Sequence, residues 1–340
     1  MKEALLYEKI GKGLVRCYLC AHFCRIREKG FGFCGVRQNI AGELFTYSYG
    51  KVVASYVDPV EKKPLYHFFP GSLSFSIAAA GCNFRCGFCQ NWQISQAPDI
   101  GAQAKEVSPK EIVKAALDSE CRSISYTYTE PTIFFEYALD VAKSAKVNGL
   151  FNVFVTNGYM TEEALLTIRP YLDASNVDLK FFKERSYRKI CKATLQPVLG
   201  TIERMVRLGV WVEITTLLIP GENDSDEELS GIAGFIAKLD KNIPWHISRF
   251  HPEYKFIGYE TTPESTLERA QKIGSHAGLK FIYIGNVPGS GSDTYCPECK
   301  KLLIKREFFN VSQNNLEEGR CSFCRTAIAG VFRKGFDEAN

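Results

Sequence analysis

No stretch of this 340-residue chain approaches the run of about 20 consecutive apolar residues that a membrane-spanning helix needs, so no span is expected. Residues 1–16 lack the apolar core of a secretory signal, so none is expected there either. Nor is there an excess of charge of one sign. Lys and Arg number 42 and Asp and Glu 38, leaving a net charge of only +4, and the signs are interspersed. That balance gives no electrostatic case for bulk nucleic-acid binding, although a specific RNA contact stays open. What the chain has in quantity is cysteine, 13 residues, an odd number set in short C-x2-C and C-x3-C pairs. Without a secretion signal, such spacing argues for metal ligation over disulfides and for a reducing, cytoplasmic setting. The hydrophobic content of 45% supports a sizeable core, and the length suits one large domain with small appendages.

Eleven cysteines fall into three groups. Cys17, Cys20, Cys24 and Cys34 lie near the N-terminus, Cys82, Cys86 and Cys89 in the middle, and Cys296, Cys299, Cys321 and Cys324 near the C-terminus. The last four form two C-x2-C knuckles, the spacing of a closed four-thiolate zinc ribbon or rubredoxin-like site. The N-terminal four suit either zinc or an auxiliary [4Fe-4S] cluster, or a structural staple for an irregular segment. The middle group has the spacing C-x3-C-x2-C. Three thiolates cannot complete a four-ligand site, and an incomplete set is how a reactive metal keeps a position open. The plainer readings are three buried cysteines, or a zinc knuckle with a distant fourth ligand. The two single cysteines, Cys121 and Cys191, read as small buried hydrophobes.

Residues 1–70 read as an irregular, cysteine-rich segment containing one strand-like piece, Leu44 to Tyr49. From residue 71 to 290 strands and helices alternate. Strand-like runs cover 74–79, 123–128, 150–156, 174–180, 210–218, 245–250 and 280–284. Ser108-Pro-Lys-Glu111 and Ser225-Asp-Glu-Glu228 read as capping boxes, and Thr161-Glu-Glu as a third helix start. Alternation of this kind implies parallel strands joined by right-handed crossovers. The expectation is an α/β fold: a partial (β/α)6-type barrel over 71–290, with small cysteine-rich metal modules at 1–70 and 291–340.

Polar groups follow nearly every strand, which in a barrel gathers them at one mouth. Glu130, in Thr129-Glu130-Pro131, is placed to accept charge-assisted bonds from an ammonium group, or to cap the helix that follows. Asn157 leads Asn-Gly-Tyr. Asp178 and Lys180, two apart, share a face, so they either pair with each other or leave Lys180 for a cofactor carboxylate. His251 closes a strand and reads as a candidate for a ribose hydroxyl. His246, among aromatics, reads as a packing residue.

These residues resemble the radical S-adenosylmethionine (SAM) superfamily, and within it the activating-enzyme branch that contains pyruvate formate-lyase activating enzyme. The segments that carry the resemblance are Gly81 to Cys89, Thr129 to Pro131, Thr156 to Gly158, Asp178 to Lys180 and Phe250-His251. The resemblance implies that Cys82, Cys86 and Cys89 ligate a [4Fe-4S] cluster and that Glu130 holds the SAM amino group. It further implies that Lys180 meets the carboxylate, His251 the ribose and Phe88 the adenine, with Thr129, Asn157 and Asp178 completing the cofactor site. The chain differs from that branch in having Tyr128-Thr129 where the branch has a Gly-Gly pair. It also has Val155 where an acidic residue often precedes Thr-Asn-Gly. Over its whole length the chain is most similar to the AmmeMemoRadiSam system radical SAM enzymes. That similarity rests on Cys17-Tyr-Leu-Cys-Ala-His-Phe-Cys24, Gly32-Phe-Cys-Gly-Val-Arg37, Pro244 to Pro252 and the C-terminal knuckles.

The function expected from this reading is reductive cleavage of SAM to a 5′-deoxyadenosyl radical that abstracts hydrogen from a substrate. By analogy with the branch, that substrate is a polypeptide. An external electron donor is implied, as is zinc at a terminal module. Three other functions compete with it. One is a non-catalytic adaptor holding several zinc ions, another an electron carrier without SAM, and the last a radical enzyme acting on a small molecule or RNA.

Overall fold

Why the chain builds a barrel-like sheet follows from its order of strands. The computed structural model describes residues 1–96, 104–287 and 291–332. Its main sheet has eight strands: β1 (Ala54–Pro59), β2 (Leu73–Ala78), β3 (Ser123–Tyr126), β4 (Phe151–Thr156), β5 (Ala174–Asp178), β6 (Trp211–Leu218), β7 (Trp245–Arg249) and β8 (Ile282–Gly285). They lie side by side in chain order, β2 to β8 all parallel and β1 antiparallel to β2, with β1 and β8 as the edges. Each parallel step is spanned by one helix of seven residues or more: α1 (Pro109–Asp118), α2 (Phe135–Val147), α3 (Glu162–Ile168), α4 (Leu195–Arg207), α5 (Asp226–Leu239) and α6 (Glu264–His276). Strictly sequential parallel neighbours put every C-terminal strand end on the same side, which is what converges the loops on one mouth. Among the described residues no helix is long and apolar enough to cross a membrane.

The helix starts are set locally. Ser108 accepts from the Glu111 amide at 3.3 Å and Glu111 returns the bond to the Ser108 amide at 2.7 Å, the capping box read from sequence. Thr161 caps α3 by accepting from Ala164. The expected second box is only half present. Ser225 accepts from the Glu228 amide at 3.3 Å, but the Glu228 carboxylate turns away and accepts the Phe182 and Lys183 amides. Those amides belong to the loop after β5, so tertiary demand outweighs the local motif.

All seven expected parallel strands are present, with ends shifted by up to a few residues. The antiparallel edge β1 lies in the segment read as irregular. Ser55, Tyr56 and Val57 in a row are exposed and the one buried residue is Asp58, so it carries little strand signal. The N-terminal segment is likewise more ordered than expected. It forms two small antiparallel sheets, one of Lys2–Glu3, Glu43–Thr46 and Arg37–Ile40, the other of Tyr7–Gly11, Leu14–Cys17 and Arg25–Ile26. Strands of two to five residues between tight turns leave no readable periodicity.

The two cysteine-rich ends dock at opposite poles. The N-terminal segment sits at the mouth side. Cys20 bridges Met160 just past β4, the Ala21 amide donates to Tyr159 O at 3.1 Å, and a fully buried ion pair joins Arg37 to Glu136 of α2. The C-terminal segment sits at the base, on the first residues of β6 to β8. His67 meets Tyr283 Oη at 2.6 Å and Ala329 O at 2.7 Å, while Glu213 accepts the Tyr66 and His67 amides and pairs with His246 at 2.6 Å. His246 packs between Tyr66 and Tyr283 as expected of a packing residue, and it also answers a buried carboxylate. Arg306 donates to Tyr66 O at 2.7 Å and lies 3.5 Å from Glu61, both side chains fully buried. The expected boundary at 290/291 and the end of the C-terminal module, residues 333–340, touch positions outside the described residues.

Candidate active site

A cavity of about 520 Å³ opens at the C-terminal strand ends, within the size range of small-molecule and cofactor pockets. Cys82, Cys86, Cys89, Phe88, Thr129, Glu130, Asn157, Asp178 and Lys180 all line it. Nine of the positions expected from sequence are thus brought together. His251 is the exception: it is exposed and is not among the lining residues.

The cysteine loop leaves β2 through Gly81, whose φ of +104° is a conformation that L side chains resist. A Cβ there would also lie 2.9 Å from Val36 Cγ1 and 3.1 Å from Cys34 O. Glycine is therefore required on two counts, and the second shows how tightly the N-terminal segment grips this loop. Beyond it the Phe84 amide donates to Cys82 Sγ at 3.3 Å, Cys89 Sγ lies 3.1 Å from Ser95 Oγ, and Cys86 Sγ lies 3.5 Å from Cys191 Sγ. Burial pushes the Cys82 and Cys89 thiols up, and for Cys86 the contact with Cys191 does so first and burial second. Thiolates so placed need a cation beside them, which a bound metal supplies.

Only one group of potential ligands among the described residues gathers within 4.8 Å, and it is the C-terminal four. The middle cysteines are not spaced for a single ion, and among the described residues no fourth His, Cys, Asp or Glu closes such a set around them. Three sulfurs on a cavity wall, too far apart for one ion, fit a cluster with one corner left to a ligand. The C-terminal cysteines differ in kind. Cys296 and Cys324 sulfurs stand 3.6 Å apart and Cys299 and Cys321 sulfurs 3.7 Å, close to the separation that four bonds of about 2.3 Å impose around a tetrahedral zinc.

The remaining wall is polar and interlocked. Glu130, 1% exposed, accepts at Oε1 from the Thr132 amide (3.0 Å), Thr132 Oγ1 (2.5 Å) and Thr156 Oγ1 (2.7 Å), and at Oε2 from the Asn157 amide (2.8 Å). Burial raises its pKa against those four donors. The structure shows the capping role read from sequence. The side chain caps the turn at Pro131–Phe134, and Oε2, with one protein donor, keeps acceptor capacity toward the cavity. Asn157 Nδ2 donates to Asn83 Oδ1 at 2.7 Å and Thr129 Oγ1 to Ala79 O at 2.7 Å, so the loops after β3 and β4 brace the cysteine loop. Lys180 Nζ donates to Asp178 Oδ2 at 2.7 Å. Burial alone would strip that ammonium, but Asp178 with Cys86 and Cys191 outweighs it and raises the pKa well above the ordinary value. Phe88 is buried, its ring 6.0 Å from that of Phe181 and 5.8 Å from Lys180 Nζ.

Several wall residues escaped the sequence reading. Lys62 and Lys63 line the cavity and converge on Asp58, at 2.8 and 2.6 Å, with Tyr128 Oη as a third donor. Burial lowers the Lys63 pKa to about 8, with Asp58 opposing, while burial of Asp58 is outweighed by its three donors and its pKa falls. We read the pair as ionised, because three donors face one carboxylate. The Thr215 hydroxyl is buried on the cavity wall without a protein partner among the described residues. The adjacent pair Lys62-Lys63 was the one readable signal. Cys191, whose neighbour Lys192 has φ +59°, gave none, because its proximity to Cys86 arises only in three dimensions.

Comparison with known proteins points the same way. Residues 76–230, from β2 into α5, match the Radical SAM superfamily. An uncharacterised protein of Methanocaldococcus jannaschii is 47% identical over 96% of this chain and 99% of its own length. A pyruvate formate-lyase-activating enzyme of Clostridium pasteurianum is 23% identical over 56% of this chain and 86% of its own. In fold, a radical SAM methyltransferase from Sphaerobacter thermophilus is similar with a TM-score of 0.50 at 15% identity, covering 69% of this chain and 71% of that one.

Proposed function

Because the chain belongs to the radical SAM superfamily, we propose that it is an activating-enzyme-like oxidoreductase of the AmmeMemoRadiSam group, acting on a polypeptide. The observation that carries the reading is the open thiolate trio on the wall of a cavity that also holds Glu130 and Lys180. When bound, a [4Fe-4S] cluster with SAM supplies reductive cleavage of the sulfonium and a 5′-deoxyadenosyl radical for hydrogen abstraction, one electron coming from an external donor. The chain's own residues do the rest. Cys82, Cys86 and Cys89 hold the iron. Glu130 Oε2 receives the SAM ammonium, and Lys180, protonated, meets the carboxylate. Phe88 offers an apolar face to the adenine, and the Thr215 hydroxyl is available to the ligand. Enclosure by the strand-end loops excludes water from a reactive species. A polypeptide as substrate is supported by the relative named as a pyruvate formate-lyase-activating enzyme, a warrant of family analogy. We further propose zinc at Cys296, Cys299, Cys321 and Cys324, in a structural role at the pole away from the chemistry.

The test is anaerobic reduction of the cluster-loaded chain with SAM and candidate polypeptides, read by mass spectrometry. Formation of 5′-deoxyadenosine, its loss in Cys86→Ala, and a mass change in one polypeptide are expected. A colourless zinc protein that forms no 5′-deoxyadenosine overturns the assignment in favour of an adaptor.

A further inference from the structure

The N-terminal cysteines occupy the chemical pole, which is unusual for a mere staple. Cys34 O lies against Gly81, and His22 Nε2 is 2.7 Å from Asn83 O, so the segment touches both sides of Cys82. Two of its four sulfurs are met by an N–H donor: Arg37 Nη1 approaches Cys17 Sγ at 3.5 Å and the Phe33 amide Cys24 Sγ at 3.4 Å. Donors directed at sulfur stabilise thiolate charge and tune metal–thiolate centres. Four thiolates with a buried guanidinium beside them call for a polyvalent cation at their centre. The spacing says which kind. The C-terminal four gather within 4.8 Å, as a single ion requires, but no three of the N-terminal four do. In this they match Cys82, Cys86 and Cys89, and their opening spacing, C-x2-C-x3-C, is that of the middle triplet reversed. A cubane of four irons is wider than one ion and takes four cysteines when fully ligated.

We propose that Cys17, Cys20, Cys24 and Cys34 hold a second [4Fe-4S] cluster, closed by four protein ligands and stacked against the loop that carries the first. Only the comparison of spacing rests on the function proposed above; the donors and the position stand without it. Iron and acid-labile sulfide are measured on the full chain after anaerobic reconstitution. The wild type is expected to carry about eight irons and about eight sulfides, two cubanes' worth. The triple variant Cys82→Ser, Cys86→Ser, Cys89→Ser is expected to keep about four of each, with a [4Fe-4S] Mössbauer signature. Adding Cys20→Ser and Cys24→Ser removes them. Sulfide discriminates against iron bound singly at the C-terminal knuckles, which brings none. The proposal is overturned if the triple variant holds zinc or no sulfide, or, should that variant not fold, if the wild type carries only about four sulfides. Failure of the function proposed above would show separately, as sulfide in Cys20→Ser/Cys24→Ser without SAM cleavage in the wild type.

Discussion

Replacing Glu130 by Gln separates the two roles that its carboxylate combines. Four donors converge on it, three on Oε1 and the Asn157 amide on Oε2. Gln keeps the oxygen for the three but turns an NH2 toward the Asn157 amide, donor against donor. One bond to a charged group, worth about 1.5–3 kcal/mol, is lost, and the others fall to neutral strength. A stability loss of about 2–4 kcal/mol follows, read by chemical denaturation under anaerobic conditions. The same substitution removes the charge offered to the SAM ammonium, another 1.5–3 kcal/mol or so, which is about 10- to 150-fold in affinity. Equilibrium dialysis of SAM against the cluster-loaded chain measures that. Thr156→Val is the control. It takes one donor from Oε1, leaves the charge, and should lower stability by about 1–2 kcal/mol while SAM affinity holds. If Glu130→Gln lowers stability but binds SAM like the wild type, Glu130 is a cap and the ligand role is wrong. If neither changes, the described bonding is wrong.

Three further outcomes are expected. Gly81→Ala puts a side chain at φ +104° and 2.9 Å from Val36; strain and overpacking together should lower stability by about 2–5 kcal/mol, seen as an earlier denaturation midpoint. Cys191→Ala removes the thiol 3.5 Å from Cys86 Sγ, so the potential of the first cluster should shift negative in a potentiometric EPR titration, and Cys191→Ser should restore it; an unchanged potential in Cys191→Ala refutes the coupling. His67 is held neutral down to about 4 by burial, against an ordinary 6.5. Its folded pKa is depressed, so its contribution is present above 6.5 and is lost as pH falls toward 4. Wild type minus His67→Asn, compared by urea denaturation at about pH 7 and about pH 4, should differ by on the order of 3 kcal/mol, and parallel curves would refute it.

Sequence alone carried the parallel sheet because a strand needs only local alternation and a helix only a cap and a stripe. It likewise carried the convergence of the cysteine trio, Glu130 and Lys180 on one cavity wall, since short spacings and strand-end positions are local facts. It failed where a residue's meaning depends on what lies across the fold. Lys63 gives no sign of Asp58 and Tyr128, and nothing near Cys191 announces Cys86. Glu228 looked like half of a capping box until the loop after β5 claimed its carboxylate. His251 carried a motif resemblance, yet the rim loop leaves it exposed. The short N-terminal sheets escaped because strands of two to five residues have no period to read.

The base of the molecule also sets a timetable. Glu61 and Arg306 are 245 residues apart in sequence, and a fully buried charge without its partner destabilises by about 3–5 kcal/mol. On the ribosome, Glu61 emerges long before Arg306 is translated. A nascent chain that has completed every strand through β8 still carries this carboxylate answered by the Gly71 amide at 2.9 Å but not by its guanidinium. The barrel therefore locks only when the final knuckles arrive, and a chain truncated before residue 306 should linger as a loose, protease-sensitive form.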